Sequence, residues 1–144
     1  VYLKQFQELD PQDAEDIEKV IKGSGQTIRK RPYADTWVKY LKSKGYHVYI
    51  LSNYSSYMLD HTKKELTFRR EMDGEVFSCY ANQLKPDAEI YQTILNKYQL
   101  KPEECVFIDD RPENCRGAQE QGIHTICFKD FKQVTADLEK LGVK

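Results

Sequence analysis

Two adjacent carboxylates, Asp109 and Asp110, follow directly on the apolar run at residues 105–108. A short continuous apolar run is typical of a strand that is buried on both faces of a parallel sheet. Pro112 suits the first turn of a helix that should run to Gly122. Ligands of open α/β sheets bind beyond the carboxyl ends of the strands, and paired carboxylates suit a hard cation such as Mg²⁺. Taken alone, the pattern fits equally well a polar turn that caps the next helix.

Polar groups also follow two other predicted strands. Ser52 and Asn53 come directly after the apolar strand at residues 46–51, and Lys85 lies just past the strand at residues 75–80. A hydroxyl and backbone amides can hold phosphate oxygens, a lysine neutralises charge, and a cation clamps the phosphate. The ordered set of a hydroxyl, an amide, a lysine and a carboxylate pair therefore predicts phosphoryl transfer.

The rest of the chain predicts the elements that position these groups. From residue 46 onward, apolar strands alternate with amphipathic helices, the first helix at residues 54–65 and the last strand at 124–128. This order implies right-handed crossovers and a parallel sheet with helices on both faces, a three-layer Rossmann-like α/β fold. Two earlier helices are predicted at residues 11–23 and 32–45, with a flexible link after the first.

Composition limits the class of protein. The chain has 144 residues, which is enough for one domain, and its net charge of -1 gives no general attraction to nucleic acid or to an anionic membrane. Its apolar runs are too short to span a bilayer. The 4 cysteines show no C-x-x-C pair, which fits a reducing, cytoplasmic setting better than a disulfide framework.

These motifs resemble those of the haloacid-dehalogenase-like (HAD) hydrolases, with the closest likeness to sugar-phosphate phosphatases of the alpha-glucose-1-phosphatase type and to the phosphatase domain of soluble epoxide hydrolase. The resemblance runs from about residue 32 to residue 128. Three of the family's four motifs are matched, at residues 48–53, at residues 85–91 and at residues 107–123.

The resemblance implies a role for each of the polar residues. Ser52 would hydrogen-bond the transferred phosphoryl group with help from Asn53, and Lys85 would pair with the phosphoryl group and the nucleophile, so that Ser52 and Lys85 are the catalytic candidates. Asp110 would be a direct Mg²⁺ ligand, and Asp109 would bind the metal through water or hold the lysine.

The same resemblance places Asn114 with the phosphate-binding residues, where it would steady the loop. It also divides the chain into a remnant of a small helical cap at residues 1–31 and an α/β core at residues 32–144. The expected substrate is a small phosphorylated metabolite such as a sugar phosphate.

One family motif is missing. The first motif of these hydrolases is a buried strand that ends in D-x-D, and its first aspartate is the covalent nucleophile. None of the aspartates Asp10, Asp13, Asp16 and Asp35 follows a buried apolar strand, and Asp130 is followed by Lys132 where the second aspartate should be. We therefore expect a chain truncated at its amino terminus that is inactive as the 144 residues stand.

By the same resemblance, the missing strand would lie at the centre of the sheet, between the strand that ends in Ser52 and the strand that ends in Asp110. Unpaired buried backbone groups cost about 1–3 kcal/mol each, and several of them exceed the stability of a domain, about 5–15 kcal/mol. We therefore expect the gap to be filled by direct pairing of the two flanking strands, by a strand from a second copy, or by a retained cleaved peptide.

Two other functions remain open from the sequence. One is a non-catalytic interaction or regulatory module, in which the exposed central edges dock another strand. The other is a 2-haloacid dehalogenase, a HAD activity that needs no metal. The Asp109-Asp110 pair favours the metal-using branch.

Overall fold

Strands and helices alternate along the chain in this computed structural model, which describes residue 8 and residues 10–143. The strands are β1 (Tyr49–Ser52), β2 (Gly74–Phe77), β3 (Val106–Asp109) and β4 (His124–Cys127). The helices are α1 (Ala14–Ser24), α2 (Ala34–Ser43), α3 (Ser56–His61), α4 (Ser78–Ala81), α5 (Ala88–Tyr98), α6 (Pro112–Glu120) and α7 (Phe131–Lys140). The predicted α/β class with parallel strands is confirmed.

The strands form two separate two-stranded sheets rather than one. β1 pairs with β2 in parallel, with Ser52 opposite Phe77, and β3 pairs with β4 in parallel, with Asp109 opposite Cys127. β1 and β3 are not hydrogen-bonded to each other. Direct pairing of these two strands, one of the three expected ways to fill the gap, is therefore wrong for the chain by itself.

Apolar side chains pack on both faces of the strands. The first core consists of Val76, Ile90, Tyr91, Ile94, Ala118 and Ile123, and the second core consists of Ile126, Val134 and Leu138. Phe107 of β3 packs against the first core, while its neighbours Val106 and Ile108 pack against the second. This alternation is the strand periodicity expected for a sheet with helices on both faces.

β1 and β3 are nevertheless only half-buried along their whole length. β2 has two buried residues and β4 has one, although each is paired on only one side as well. Apolar residues of a parallel sheet that is covered on both faces are normally buried. The half-exposed apolar residues of β1 and β3 therefore indicate that each strand lacks a second neighbour among residues 10–143.

The first two strands are shorter than the sequence predicts. β1 begins at Tyr49 instead of residue 46, because Asp73 bonds the preceding turn: its carboxylate accepts from the Val48 amide at 2.8 Å, and its amide donates to the Val48 carbonyl at 2.8 Å. β2 ends at Phe77, where the chain turns into α4, and Asn82 closes α4 with a left-handed φ of 57°.

Two of the predicted helices also have different bounds. α3 ends at His61 instead of residue 65, because the Thr62 hydroxyl, which is buried, bonds the Met58 carbonyl at 2.7 Å and closes the last turn. α1 begins at Ala14 rather than at residue 11, and it continues through the predicted link to Ser24 before a 3₁₀ turn. Expectations for residues 1–7 and 9 lie outside the described residues.

No helix within residues 10–143 is both long enough and apolar enough to cross a membrane.

Gly117 lets α6 pack closely on the loop that carries Lys85. A Cβ at this position would lie 2.5 Å from the Pro86 carbonyl oxygen and 3.1 Å from the Tyr91 ring. Both neighbours are constrained, since the first is backbone and Tyr91 is fully buried. The contact therefore requires glycine, although alanine favours helix by about 1 kcal/mol.

We expect Gly117→Ala to lower the free energy of unfolding by roughly 1–3 kcal/mol, because the methyl group has to displace the loop. Urea unfolding of the purified chain measures this change. Gly23→Ala is the matched control, since nothing lies within 4 Å of a Cβ there, and it should leave stability unchanged or raise it. Equal stability of the two variants would contradict the close-packing argument.

Candidate active site

The Lys85 ammonium group joins the carboxyl ends of the two sheets. Its Nζ donates to Asp109 Oδ2 at 2.6 Å, at the end of β3, and to the Leu51 carbonyl at 3.0 Å, near the end of β1. The side chains of the ion pair are 7% and 8% exposed. A lysine ammonium has three N–H donors, so these two bonds leave one donor for a further acceptor.

Asn53 fixes the backbone of the loop that carries this lysine. Its Oδ1 accepts from the Lys85 amide and its Nδ2 donates to the Lys85 carbonyl, both at 2.9 Å. The next residue, Tyr54, donates its amide to Ser78 Oγ at 2.9 Å, which ties the segment after β1 to the start of α4. Ser52 is half-buried at the end of β1, directly before this tie.

Asp109 accepts hydrogen bonds at both carboxylate oxygens. Oδ2 takes the lysine bond, and Oδ1 accepts from the Arg111 amide and from Asn114 Nδ2, both at 2.9 Å. Burial raises the pKa of Asp109, but the bonds from Lys85, Arg111 and Asn114 outweigh it, so the pKa lies below the ordinary value. This carboxylate is ionised at neutral pH, and both of its oxygens accept hydrogen bonds.

Asn114 is itself held from the other side of the loop. It is 3% exposed, and its carbonyl accepts from the Tyr91 hydroxyl at 2.7 Å. Burial raises the pKa of Tyr91, and the nearby Asp109 charge adds to this effect, so the hydroxyl keeps its proton and donates. The end of β3 is thus braced by α5 and α6 together.

The carboxylate pair has one member that a cation can reach. Asp110 is exposed, whereas Asp109 is half-buried and its oxygens accept hydrogen bonds from Lys85 and from the Arg111 amide. Within residues 10–143, no group of three or more His, Cys, Asp or Glu side chains is placed to hold a metal ion. Protein sites for Mg²⁺ use one or two carboxylates together with water and substrate phosphate, so the residues present supply part of such a site.

Five of the six residues singled out in the sequence lie at the carboxyl ends of β1 and β3 or in the loops beside them, and Asn114 lies in the first turn of α6: Ser52, Asn53, Lys85, Asp109, Asp110 and Asn114. Two backbone groups of the site were missed. The Arg111 amide lies two residues after Asp109, a spacing at which aspartate side chains commonly bond the backbone, so the sequence held a signal for it. The Leu51 carbonyl has no such signal, since any residue could supply it.

The buried ion pair makes Lys85 important for stability. We expect Lys85→Met to lower the free energy of unfolding by roughly 3–5 kcal/mol, because it leaves a buried carboxylate without its cation. Chemical denaturation at neutral pH measures this change. The matched control is Lys101→Met, whose ion pair with Glu104 is 66% and 65% exposed and should be worth no more than about 1 kcal/mol. A loss for Lys85→Met no larger than that of the control would contradict this role.

The lowered pKa of Asp109 also predicts an acid dependence. A carboxylate whose folded pKa lies below its unfolded value, about 3.9, contributes stability above that pH and loses it as the pH falls through the folded pKa. When the pH is lowered from about 5 to about 2, which takes it below the ordinary value, the free energy of unfolding should therefore fall less for Asp109→Asn than for the unchanged chain. Denaturation at both pH values tests this, and an equal loss would show that Asp109 does not carry the effect.

Known proteins resemble this chain over a range that includes the candidate site residues. The family described as haloacid dehalogenase-like hydrolase matches residues 3–122. Flavin mononucleotide hydrolase 1 of Arabidopsis thaliana is 39% identical over 66 residues, which are 46% of this chain and 27% of that protein. Bifunctional epoxide hydrolase 2 of Rattus norvegicus is 30% identical over 107 residues, 70% of this chain and 19% of that protein. The chain thus spans less than a third of the length of these two relatives.

A solved structure with the same fold is a HAD family enzyme from Bacteroides thetaiotaomicron, crystallised as a mutant in complex with magnesium and inorganic phosphate. It is 26% identical, it superposes with a TM-score of 0.70, and the match covers 82% of this chain and 65% of that chain. The matched relatives also include a haloacid dehalogenase. Because the family match covers residues 3–122, most of this chain, the chain belongs to the haloacid dehalogenase-like hydrolases.

Proposed function

We propose that the chain carries most of the active site of a Mg²⁺-dependent phosphomonoester hydrolase that acts on a small sugar phosphate. The observation that supports this most directly is the position of the Lys85 ammonium group. It lies between the two strand ends, with Ser52 at the end of one and Asp110 just past the end of the other. A cationic donor, a hydroxyl and an accessible carboxylate are the groups that bind a phosphate and a cation.

In this proposal each residue acts on a specific atom. The Ser52 hydroxyl and the remaining N–H donor of Lys85 bind oxygens of the transferred phosphoryl group. Asn53 holds the lysine loop in place, and Asp109 with Asn114 keeps the ammonium group aimed at the centre of the site. Asp110 would ligate Mg²⁺, which when bound neutralises charge on the phosphate.

The choice of a phosphate ester has two further supports. A related protein is named for flavin mononucleotide hydrolysis, and the structural neighbour was crystallised with magnesium and phosphate. The second candidate is a 2-haloacid dehalogenase. Its reaction needs no cation, so the exposed Asp110 would have no role as a metal ligand. The carboxylate pair therefore favours the phosphatase.

The chain by itself should be inactive, because it offers no attacking carboxylate. Covalent phosphoryl transfer in this family uses an aspartate that attacks phosphorus. Asp109 is bonded to the Lys85 ammonium group, the Arg111 amide and Asn114 Nδ2, and it does not begin an Asp-x-Asp motif. The sequence has no Asp-x-Asp after an apolar strand. The nucleophile has to come from outside these residues.

We propose that it arrives on a strand inserted between β1 and β3. Among the residues that the structure describes, each of these strands has a ladder partner on one side only, and their half-exposed apolar residues would gain burial from such a neighbour.

The occupant best suited to this slot is a strand of apolar residues that ends in Asp-x-Asp. A second copy of this chain could fill the slot, but it carries the same sequence and would bring no such motif. The assignment of α1 to a cap over the site remains a part of the same proposal.

The test is complementation of the full chain with a synthetic peptide of five apolar residues followed by Asp-x-Asp. The chain alone should not hydrolyse p-nitrophenyl phosphate with Mg²⁺, and the peptide should confer turnover that EDTA removes. The matched control is the same peptide with Asn in place of the first Asp, which should bind equally well without turnover. Asp110→Asn in the chain should abolish the activity, because it removes the accessible carboxylate.

Other outcomes would overturn the proposal in distinct ways. Metal-independent release of halide from a 2-haloacid by the complemented chain would identify a dehalogenase. Binding of the peptide with neither activity would identify an interaction module. A dimer that excludes the peptide would show that a second copy fills the slot.

A further inference from the structure

Two cysteines, one on α6 and one at the end of β4, contact the backbone of the loop that holds the carboxylate pair. Ile126 of β4 belongs to the second core, so Cys127, one residue further along the strand, points to the opposite face. α6 covers that face, because its Ala118 belongs to the first core. Cys115 of α6 is buried, and its Sγ lies 3.8 Å from the Ile126 carbonyl, the peptide that leads into Cys127.

Both sulfur atoms also contact the backbone of the carboxylate pair. Cys115 Sγ lies 3.5 Å from the Asp109 carbonyl, and Cys127 Sγ lies 4.0 Å from the Asp110 carbonyl. Burial raises the pKa of Cys115 to about 11, and the neighbouring Cys127 thiol adds to this shift. Cys127 is half-buried and more open to solvent than Cys115, so a reagent can reach it first.

We propose that Cys115 and Cys127 form a reversible disulfide when the protein meets a hydroperoxide. The Cys127 sulfur attacks the peroxide oxygen, which gives a sulfenic acid and releases an alcohol, or water if the oxidant is hydrogen peroxide. The Cys115 sulfur then attacks the sulfenic sulfur, a water molecule leaves, and the S–S bond forms. The two thiols lose two electrons and two protons, the peroxide is reduced, and a dithiol reductant reverses the change.

This disulfide would act on the loop that holds Asp109 and Asp110. The structure has both cysteines as free thiols, and an S–S bond of about 2.05 Å requires the two sulfur atoms to approach each other. Both sulfur atoms contact carbonyls of the carboxylate pair, so their approach would shift this loop relative to Lys85. The modification does not depend on the proposed phosphatase activity, and its test does not use that activity.

The remaining cysteines provide an internal comparison. Cys105 lies at the opposite end of β3, where its Sγ contacts the Lys101 carbonyl, and Cys79 lies in α4. Neither residue is near the carboxyl end of β4. A variant with Cys79→Ala and Cys105→Ala therefore keeps only Cys115 and Cys127.

The experiment treats the full chain with hydrogen peroxide and then counts free thiols by alkylation and mass spectrometry. We expect two of the four thiols to disappear, with a mass loss of about two hydrogens, and digestion to link the Cys115 and Cys127 peptides. Dithiothreitol should restore all four thiols. The Cys79→Ala, Cys105→Ala variant should form the same link, and Cys127→Ala should not.

Three results would overturn the inference. Oxygen could add to single cysteines without any link, the linked peptides could include Cys79 or Cys105, or the link could join two chains. A second measurement keeps the test informative if Cys127→Ala folds poorly: the oxidised unchanged chain should unfold at a different urea concentration from its reduced form, and reduction should reverse the shift. An unchanged midpoint would show that the bond does not reach the loop.

Discussion

A lysine ammonium buried against a carboxylate is stable only when the geometry compensates both charges for the loss of water. Lys85 and Asp109 meet this requirement because each also bonds a backbone group. The Leu51 carbonyl accepts from the lysine, and the Arg111 amide donates to the aspartate. Each partner belongs to a different segment. The ion pair therefore holds the ends of two sheets that have no ladder between them, and the loops around the candidate site depend on it.

The separation of the sheets explains why the central strands are the less buried ones. β1 and β3 carry apolar residues on both faces, as a strand inside a doubly covered sheet should, yet none of those residues is buried. The two cores pack on opposite faces of β3, and each core contains helix residues. Helices thus cover both faces of β3, although the part of the chain that the structure describes pairs this strand on one side only.

Much of this could be predicted because it depends on local chemistry. The apolar run before Asp109, the proline after it and Gly122 at the helix end defined β3 and α6 almost to the residue. The start of β1 was missed because Asp73, which is 25 positions from Val48, bonds the Val48 amide just before the strand. The Leu51 carbonyl, likewise, joined the site through a tertiary contact that no residue type encodes. Sequence patterns identified the side chains of the site, and long-range backbone bonds then set its geometry.

An aspartate arriving on a strand between β1 and β3 would meet the Lys85 ammonium group at the donor that its two present bonds leave. It would not need to displace Asp109, whose second oxygen is held by Arg111 and Asn114. Two carboxylates around one ammonium group are tolerated when the cation is shared, and an added Mg²⁺ at Asp110 would offset the remaining repulsion. The ion pair of Lys85 with Asp109 is therefore compatible with an incoming nucleophile, because it orients the ammonium group and leaves one N–H donor without an acceptor.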